Sequence, residues 1–241
     1  MKLKFLGTRG YIKSKTQRHR MHSSLMIEYQ NKSIIIDCGE DWLHKIHKLN
    51  PNAIILTHAH PDHAWGLKEG APCPVYATLE SWDEIKDYPI ENKHTVRARK
   101  IFKICNISFE AFPVSHSKRC PAVGYRIIAG KKVIFYVPDV LSIIDRKQAL
   151  SNIQLYIGDG SSIKRSLVRV IGETLIKVGH AAISTQLGWC QKEGVTNAIF
   201  SHCGSEIVEG DERTLRSTIN DIARKQGVNA QIAFDGMEIH L

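Results

Sequence analysis

Apolar residues fall in short runs along this chain, broken by polar turns more often than spaced at a helical period. Lys2–Leu6 reads as an opening strand, and the loop Gly7-Thr8-Arg9-Gly10 follows it with two glycines that permit tight turning. Ser24–Tyr29 and Ser33–Ile36 read as a hairpin joined through Gln30-Asn31-Lys32. Glu40–Leu49 sets Leu43, Ile46 and Leu49 among charges, the pattern of a short amphipathic helix. Ala53-Ile54-Ile55-Leu56 is continuously apolar and reads as a buried strand. Val75–Thr78 is a further strand and Leu79–Lys86 a helix, while residues 87–100 are too polar to assign.

From residue 101 the pattern turns to strands: Ile101–Ile104, Ile107–Phe112, Gly124–Ile128 and Val133–Val137, with a turn at Gly130. Leu141–Leu150 reads as helical, and Ile153–Ile157 as a strand that ends in Gly158-Asp159-Gly160-Ser161. Residues 183–193 form a helix, Asn197–Phe200 a strand, and Asp211–Lys225 a long amphipathic helix. Ala230–Phe234, the turn Asp235-Gly236 and Met237–His240 close the chain. Two sheets packed together and covered by helices would bury these elements, so the order reads as α/β or α+β. No linker or low-complexity tract divides residues 1–241, which are read as one domain.

Composition narrows the classes. With 43% hydrophobic and 24% charged residues, the composition is that of an ordinary globular protein and does not indicate disorder. No apolar run approaches the ~20 residues that span a bilayer, and the first residues are too short a run for a signal peptide. A cytoplasmic protein with no membrane partner is expected. Six scattered cysteines without a Cys-x-x-Cys pair argue against a disulfide framework and against thiolate-bound zinc. The net charge of +9 leans toward phosphate-rich partners. Part of it sits in the first twenty residues, where Lys2, Lys4, Arg9, Lys13, Lys15, Arg18 and Arg20 meet no acid.

The candidate chemistry sits at Thr57-His58-Ala59-His60-Pro61-Asp62-His63, directly after the apolar run 53–56. Three imidazoles and a carboxylate in six residues make a donor set for zinc or a similar first-row cation. Pro61 cannot continue a ladder, so the chain turns there and can aim alternate residues at different targets. Three more polar residues follow apolar strands in the same way: His116, Asp139 and His202. Asp37 and Asp159 also stand at strand ends.

His58-x-His60-x-Asp62-His63 after a hydrophobic strand resembles the signature of the metallo-β-lactamase superfamily of hydrolases, and His116, Asp139 and His202 match its remaining motifs in order. The resemblance implies a four-layer αββα sandwich. It implies one metal on His58, His60 and His116 and a second on Asp62, His63 and His202, with Asp139 bridging. Asp159 is the alternative bridge, or a group behind the ligands. Asp37 matches an early aspartate that hydrogen-bonds near the cluster. Two divalent ions of this kind, zinc or else manganese or iron, acidify a shared water from 15.7 toward ~7 and neutralise charge at the attacked centre.

The bond to be cut is read elsewhere. Val178-Gly179-His180-Ala181-Ala182-Ile183-Ser184-Thr185, with His180 22 residues before His202, resembles the histidine motif of the phosphodiesterase branch. That branch includes the tRNA 3′-processing endonucleases and small cyclic-phosphate diesterases. Phe5-Leu6-Gly7-Thr8-x-Gly10 resembles its start, and backbone N–H groups of such a loop could face a phosphate. The implied catalytic residues are Asp62 and His180, the latter stabilising charge or protonating the leaving oxygen. No Gly/Pro-rich insertion stands where the processing endonucleases carry a tRNA-gripping arm. The substrate is then a nucleotide, a cyclic phosphate or a nucleic-acid end. A lactone, thioester or other carboxylic-ester hydrolase on the same metals is the alternative, and a nucleic-acid-binding module with a structural metal is a further one. The oligomeric state stays open, a homodimer included.

Overall fold

The computed structural model describes residues 1–172 and 175–241. Its first sheet runs β17-β1-β2-β3-β4-β5-β6. These strands are β1 (Lys2–Gly7), β2 (Ser24–Tyr29), β3 (Lys32–Ile36), β4 (Ala53–Ile55), β5 (Val75–Thr78), β6 (Lys93–Val96) and β17 (Glu238–His240). β3, β4, β5 and β6 are mutually parallel, so their carboxyl ends share one edge. The second sheet runs β11-β8-β9-β10-β12-β15-β16, with β7 also on β8. It is made of β7 (Ile101–Ile104), β8 (Ile107–Ser115), β9 (Ala122–Ala129), β10 (Lys132–Tyr136), β11 (Ser142–Ile143), β12 (Leu155–Asp159), β15 (Asn197–Ser201) and β16 (Asn229–Ile232). A separate hairpin pairs β13 (Leu167–Ile171) with β14 (Ile176–His180).

Alternation along the strands builds three apolar layers. Ile34 and Ile36 face the inter-sheet core with Phe109, Tyr125 and Ile157, while Ile35 faces outward under Trp42 and Trp82. On the far side, Phe135, Tyr156 and Phe200 pack under Ile183, Leu187 and Ile219. Each fully buried side chain of this kind contributes roughly 1.5–3 kcal/mol. The covering helices are α2 (Leu79–Glu84) on the first sheet and α4 (Ile183–Lys192), α5 (Ser205–Val208) and α6 (Glu212–Lys225) on the second. Two short helices, α1 (Pro61–Ala64) and α3 (Arg146–Ala149), follow strands. The αββα layering expected above is therefore the architecture.

Three local expectations are corrected. Glu40–Leu49 is not one helix but two 3₁₀ turns, Glu40–Trp42 and Ile46–Leu49, because His44 between them has φ +60°. Leu141–Leu150 is not one helix either. Leu141 and Ile144 donate to the carbonyls of Ser115 and Pro113, which holds β11 against β8 before α3 starts after Asp145 at φ +57°. The unassigned stretch 87–100 contains β6, a polar edge strand.

The sandwich has a cavity at each open edge. One of about 1160 Å³ lies between β16, α6 and the end of β17, away from the histidine cluster. The other, of about 300 Å³, lies between β6 and β7.

Candidate metal centre

Ligands in open α/β sheets gather at the carboxyl ends of the strands, and the polar cluster stands there. β4 leads into Thr57 and His58. His60 precedes α1, whose first helical residue is Pro61, a position where the missing N–H costs nothing. That single turn carries Asp62 and His63, both buried, toward the second sheet. His116 follows β8, Asp139 follows β10, Asp159 ends β12, His180 ends β14 and His202 follows β15. All the residues singled out in the sequence for this site come together.

Donor atoms group at distances that a cation could span. His58, His60 and His116 form one group, and Asp62, His63 and His202 another, the atoms of each lying within 4.8 Å of one another. His58 Nε2 and His116 Nε2 are 2.9 and 3.3 Å from His60 Nδ1. Asp139 stands between the groups, with Oδ2 2.6 Å from His63 Nε2 and 3.3 Å from His202 Nε2, and Oδ1 3.6 Å from His116 Nε2. Asp159 stands back from the middle. Its carboxylate accepts from the N–H groups of Val140 and Ser161 and lies 2.8 Å from His180 Nδ1.

The ligand-bearing rings are held from behind. Asp37, at φ +66°, accepts from the N–H and hydroxyl of Thr57 and lies 2.9 Å from His63 Nδ1, leaving Nε2 for the cluster. His116 Nδ1 is 3.2 Å from the carbonyl of Gly179. His202 is another residue at positive φ, +54°, and Gly10 packs so closely on its ring that an added Cβ would lie 3.0 Å away. Left-handed backbone at two non-glycine positions of one site is strain that the surrounding contacts sustain.

Electrostatics divide the cluster. Burial pushes the His58 imidazole well below its ordinary range, His60 down to about 4, and His116 down as well, so these rings are neutral electron-pair donors. Burial alone would also depress His63 and His202. The carboxylates of Asp62, Asp139 and Asp37 instead raise His63 well above its usual value, and Asp139, Asp159 and Asp62 raise His202 to about 10. Asp62 and Asp139 are held well below the carboxylate range by these histidines despite burial. His63 Nε2 and Asp139 Oδ2, both buried, have no well-formed hydrogen bond. Buried polar atoms left this way are expensive. Carboxylates and neutral imidazoles converging on one point, with His63 Nε2 and Asp139 Oδ2 facing each other at 2.6 Å without a well-formed hydrogen bond, fit divalent cations.

One feature of the loop after β1 differs from expectation. The N–H groups of Thr8, Arg9 and Gly10 donate to the carbonyls of Met21 and Cys203, so they do not face the cluster as phosphate donors. The basic segment 9–20 is partly matched within the chain, by Asp41 and Glu212. Arg9 is buried and paired with Asp41, Lys15 also pairs with Asp41 at 2.8 Å, and Arg18 pairs with Glu212 at 3.2 Å.

The sequence reading missed β13–β14, which ends in His180. It also missed Ser161, whose hydroxyl lies 3.1 Å from His180 Nδ1 and 3.2 Å from His202 Nδ1, and Gln186. Gln186 is fully buried on α4. It accepts from Asp159 N–H and the Tyr156 hydroxyl, and donates to the carbonyls of Asp159 and Ala181, tying the Asp159 strand to the residue after His180. A lone glutamine on an apolar helix face was the signal available for it.

Comparison with known proteins follows the same lines. Ribonuclease Z of Methanococcus maripaludis (strain C5) is 30% identical over 52% of this chain and 47% of its own length. Ribonuclease Z of strain C7 of the same species is 26% identical over 96% of this chain and 86% of its own. For most of the curated relatives it matches, the chain thus spans about half their length. The crystal structure of the metallo-beta-lactamase fold protein YhfI from Bacillus subtilis superposes with a TM-score of 0.75 at 15% identity, covering 99% of this chain and 98% of that one. The family model described as the beta-lactamase superfamily domain matches residues 32–203, a stretch that runs from β3 through the last histidine of the cluster, and the chain belongs to that family.

Proposed function

We propose that this protein is a metal-dependent phosphodiesterase that acts on nucleic-acid ends or related nucleotide diesters. The observation that carries the reading is His180. Its side chain is 23% exposed, more open than Asp139, Asp159 and His202 beside it, yet Nδ1 is fixed by Asp159 at 2.8 Å and lies 3.4 Å from Asp139. Burial would lower its pKa, but Asp159 and Asp139 raise it, so the ring is poised to carry a proton to a leaving oxygen. Ribonuclease Z relatives support a phosphodiester over a carboxylic ester.

In this reading His58, His60 and His116 would hold one divalent ion and Asp62, His63 and His202 a second, with Asp139 shared. Zinc is the ion proposed, and manganese or iron suits the same donors. Such ions supply an acidified water and neutralise charge on phosphorus. The chain does the rest. Asp37 and Gly179 fix the ring orientations of His63 and His116, Asp62 orients the attacking side, and His180 meets the departing oxygen. The six cysteines are unpaired, as suits a reducing cytoplasm.

The test is metal content by mass spectrometry, combined with turnover of bis(p-nitrophenyl) phosphate, a 3′-extended RNA, a lactone and an acyl-thioester. Bound metal with diester turnover that Asp62→Ala abolishes is the expected result. A metal-free protein, or turnover confined to the lactone or thioester, would overturn the reading.

A further inference from the structure

The cleft of about 300 Å³ between β6 and β7 lies outside the metal centre and is lined by Tyr76, His94, Arg97, Lys100, Ile101 and Phe102. A column of rings runs through it. His94 stacks on Tyr76 at 4.4 Å with planes 9° apart, Tyr76 on Phe102 at 5.8 Å and 10°, and Phe102 on Phe109 at 5.5 Å and 22°. The column passes from the core to solvent: Phe109 is buried, Phe102 and Tyr76 are half-buried, and His94 is exposed. Arg97 and Lys100 stand exposed at its rim. Neither is in an ion pair among the described residues, whereas Arg99 between them is spent on Glu110 and Asp145.

An exposed ring at the end of a parallel stack, beside unmatched cations, is the chemistry that recognises unpaired nucleotides. Bases stack on aromatic faces in a sequence-tolerant way, and cations track the backbone. A duplex buries its base faces and gains nothing from His94. A protein partner would leave the two cations without acids unless it brought its own. β6 is also two strands from β4 in the same parallel array, about 10 Å at normal strand spacing, so one polynucleotide can reach both places.

We propose that this cleft is an accessory site for the unpaired part of a nucleic-acid strand whose scissile diester lies at the His/Asp cluster. A base extends the column on His94, and Arg97 and Lys100 hold the neighbouring phosphates. The proposal rests on the phosphodiesterase reading above and adds where the rest of the substrate lies.

The experiment is fluorescence anisotropy of a labelled short oligouridylate with the metal-stripped full chain over a salt series, for wild type, His94→Ala, His94→Phe and Arg97→Gln/Lys100→Gln. His94→Ala is expected to weaken binding about 5- to 150-fold, the range of one lost stack, and His94→Phe to restore it. The double variant is expected to lower the log–log salt slope by about 1.4, two contacts at about 0.7 each. Equal affinity across all variants, or a duplex of the same length binding as tightly as the single strand, would overturn the site. Bis(p-nitrophenyl) phosphate turnover by the metal-loaded variants reports the cluster separately. Turnover by wild type with equal binding across variants sinks the cleft alone, and a wild type inactive on every diester sinks the reading beneath it.

Discussion

His180 Nδ1 lies 2.8 Å from Asp159 Oδ2, and the same carboxylate group accepts two backbone N–H groups. The pairing fixes the hydrogen of His180 on Nδ1 and leaves Nε2 as the nitrogen that can meet a substrate. His180→Ala is therefore expected to lower kcat about 10²- to 10⁴-fold on an RNA end, whose alkoxide needs a proton. Bis(p-nitrophenyl) phosphate, whose leaving group needs none, should lose far less. Equal losses on the two substrates would remove the proton-donor role. Asp159→Asn, which can present an N–H toward the ring, should follow His180→Ala on the RNA end with KM little changed.

Metal removal tests the cluster as a whole. A ligand that binds only the folded chain stabilises it by RT ln(1 + [L]/Kd), about 2.7 kcal/mol at a hundredfold excess over Kd. Chelation should thus lower Tm by several degrees and abolish turnover, and added zinc should restore both. In Asp139→Ala the chelator should no longer shift Tm, because the carboxylate between the two histidine groups is gone. Thiol reagents should release no metal, since neither donor group contains a cysteine. Metal release by such a reagent would mean a different ligand set.

The parts of the site that could be read in the sequence share one physical cause. Short buried runs such as Ala53–Ile55, and Ala198-Ile199-Phe200 within Asn197–Ser201, are apolar, so the polar residues after them mark strand ends, and parallel strands bring those ends together. That is why His58, Asp139 and His202 stood out, while His116 follows β8, an alternating strand in antiparallel pairing. β13–β14 gave no such signal. Leu167, Val168, Val170 and Ile176 are all exposed, and Val178 is the one buried residue of the two strands. Gln186 was hidden because its partners, Asp159 and Ala181, lie 27 and 5 residues away along the chain. The loop 7–10 misled because glycines signal turning but not where the freed N–H groups point.

The hairpin's root offers a backbone test. Gly179 has φ +128°, and a Cβ there would lie 1.9 Å from the Leu167 carbonyl oxygen, so no side-chain rotation relieves the clash. Its N–H donates to the His116 carbonyl at 2.8 Å and its carbonyl lies 3.2 Å from His116 Nδ1. Gly179→Ala should displace both His180 and the His116 ring, lowering diester turnover at least about 100-fold, as a 1 Å misplacement can. Gly172→Ala, at φ +67° with nothing within 4 Å of the new Cβ, should cost about 1 kcal/mol of stability and leave turnover intact. If the two alanines behave alike, the root does not position the site.

Away from the cluster, His19 gives the fold a pH dependence. It is buried, with Nδ1 2.8 Å from the Thr8 hydroxyl, which donates to Asp235 at 2.7 Å. Burial, aided by Arg18, lowers its pKa from 6.5 to about 4. A depressed histidine pKa means that the unfolded chain takes up the proton first. The stability from burying the neutral ring is fully present above pH 6.5 and is lost as pH falls toward 4. Asp235 acts in the opposite sense, because burial raises its pKa and favours the folded state as the carboxyl protonates. The informative quantity is therefore the difference between wild type and His19→Gln in urea unfolding at pH 7.5, 6, 5 and 4.5. The variant should be less stable at pH 7.5 and draw level as pH falls, by up to about 1.4 kcal/mol for each unit separating the two histidine pKa values. A gap that stays constant across this window would show that His19 remains neutral in both states or takes its proton in both.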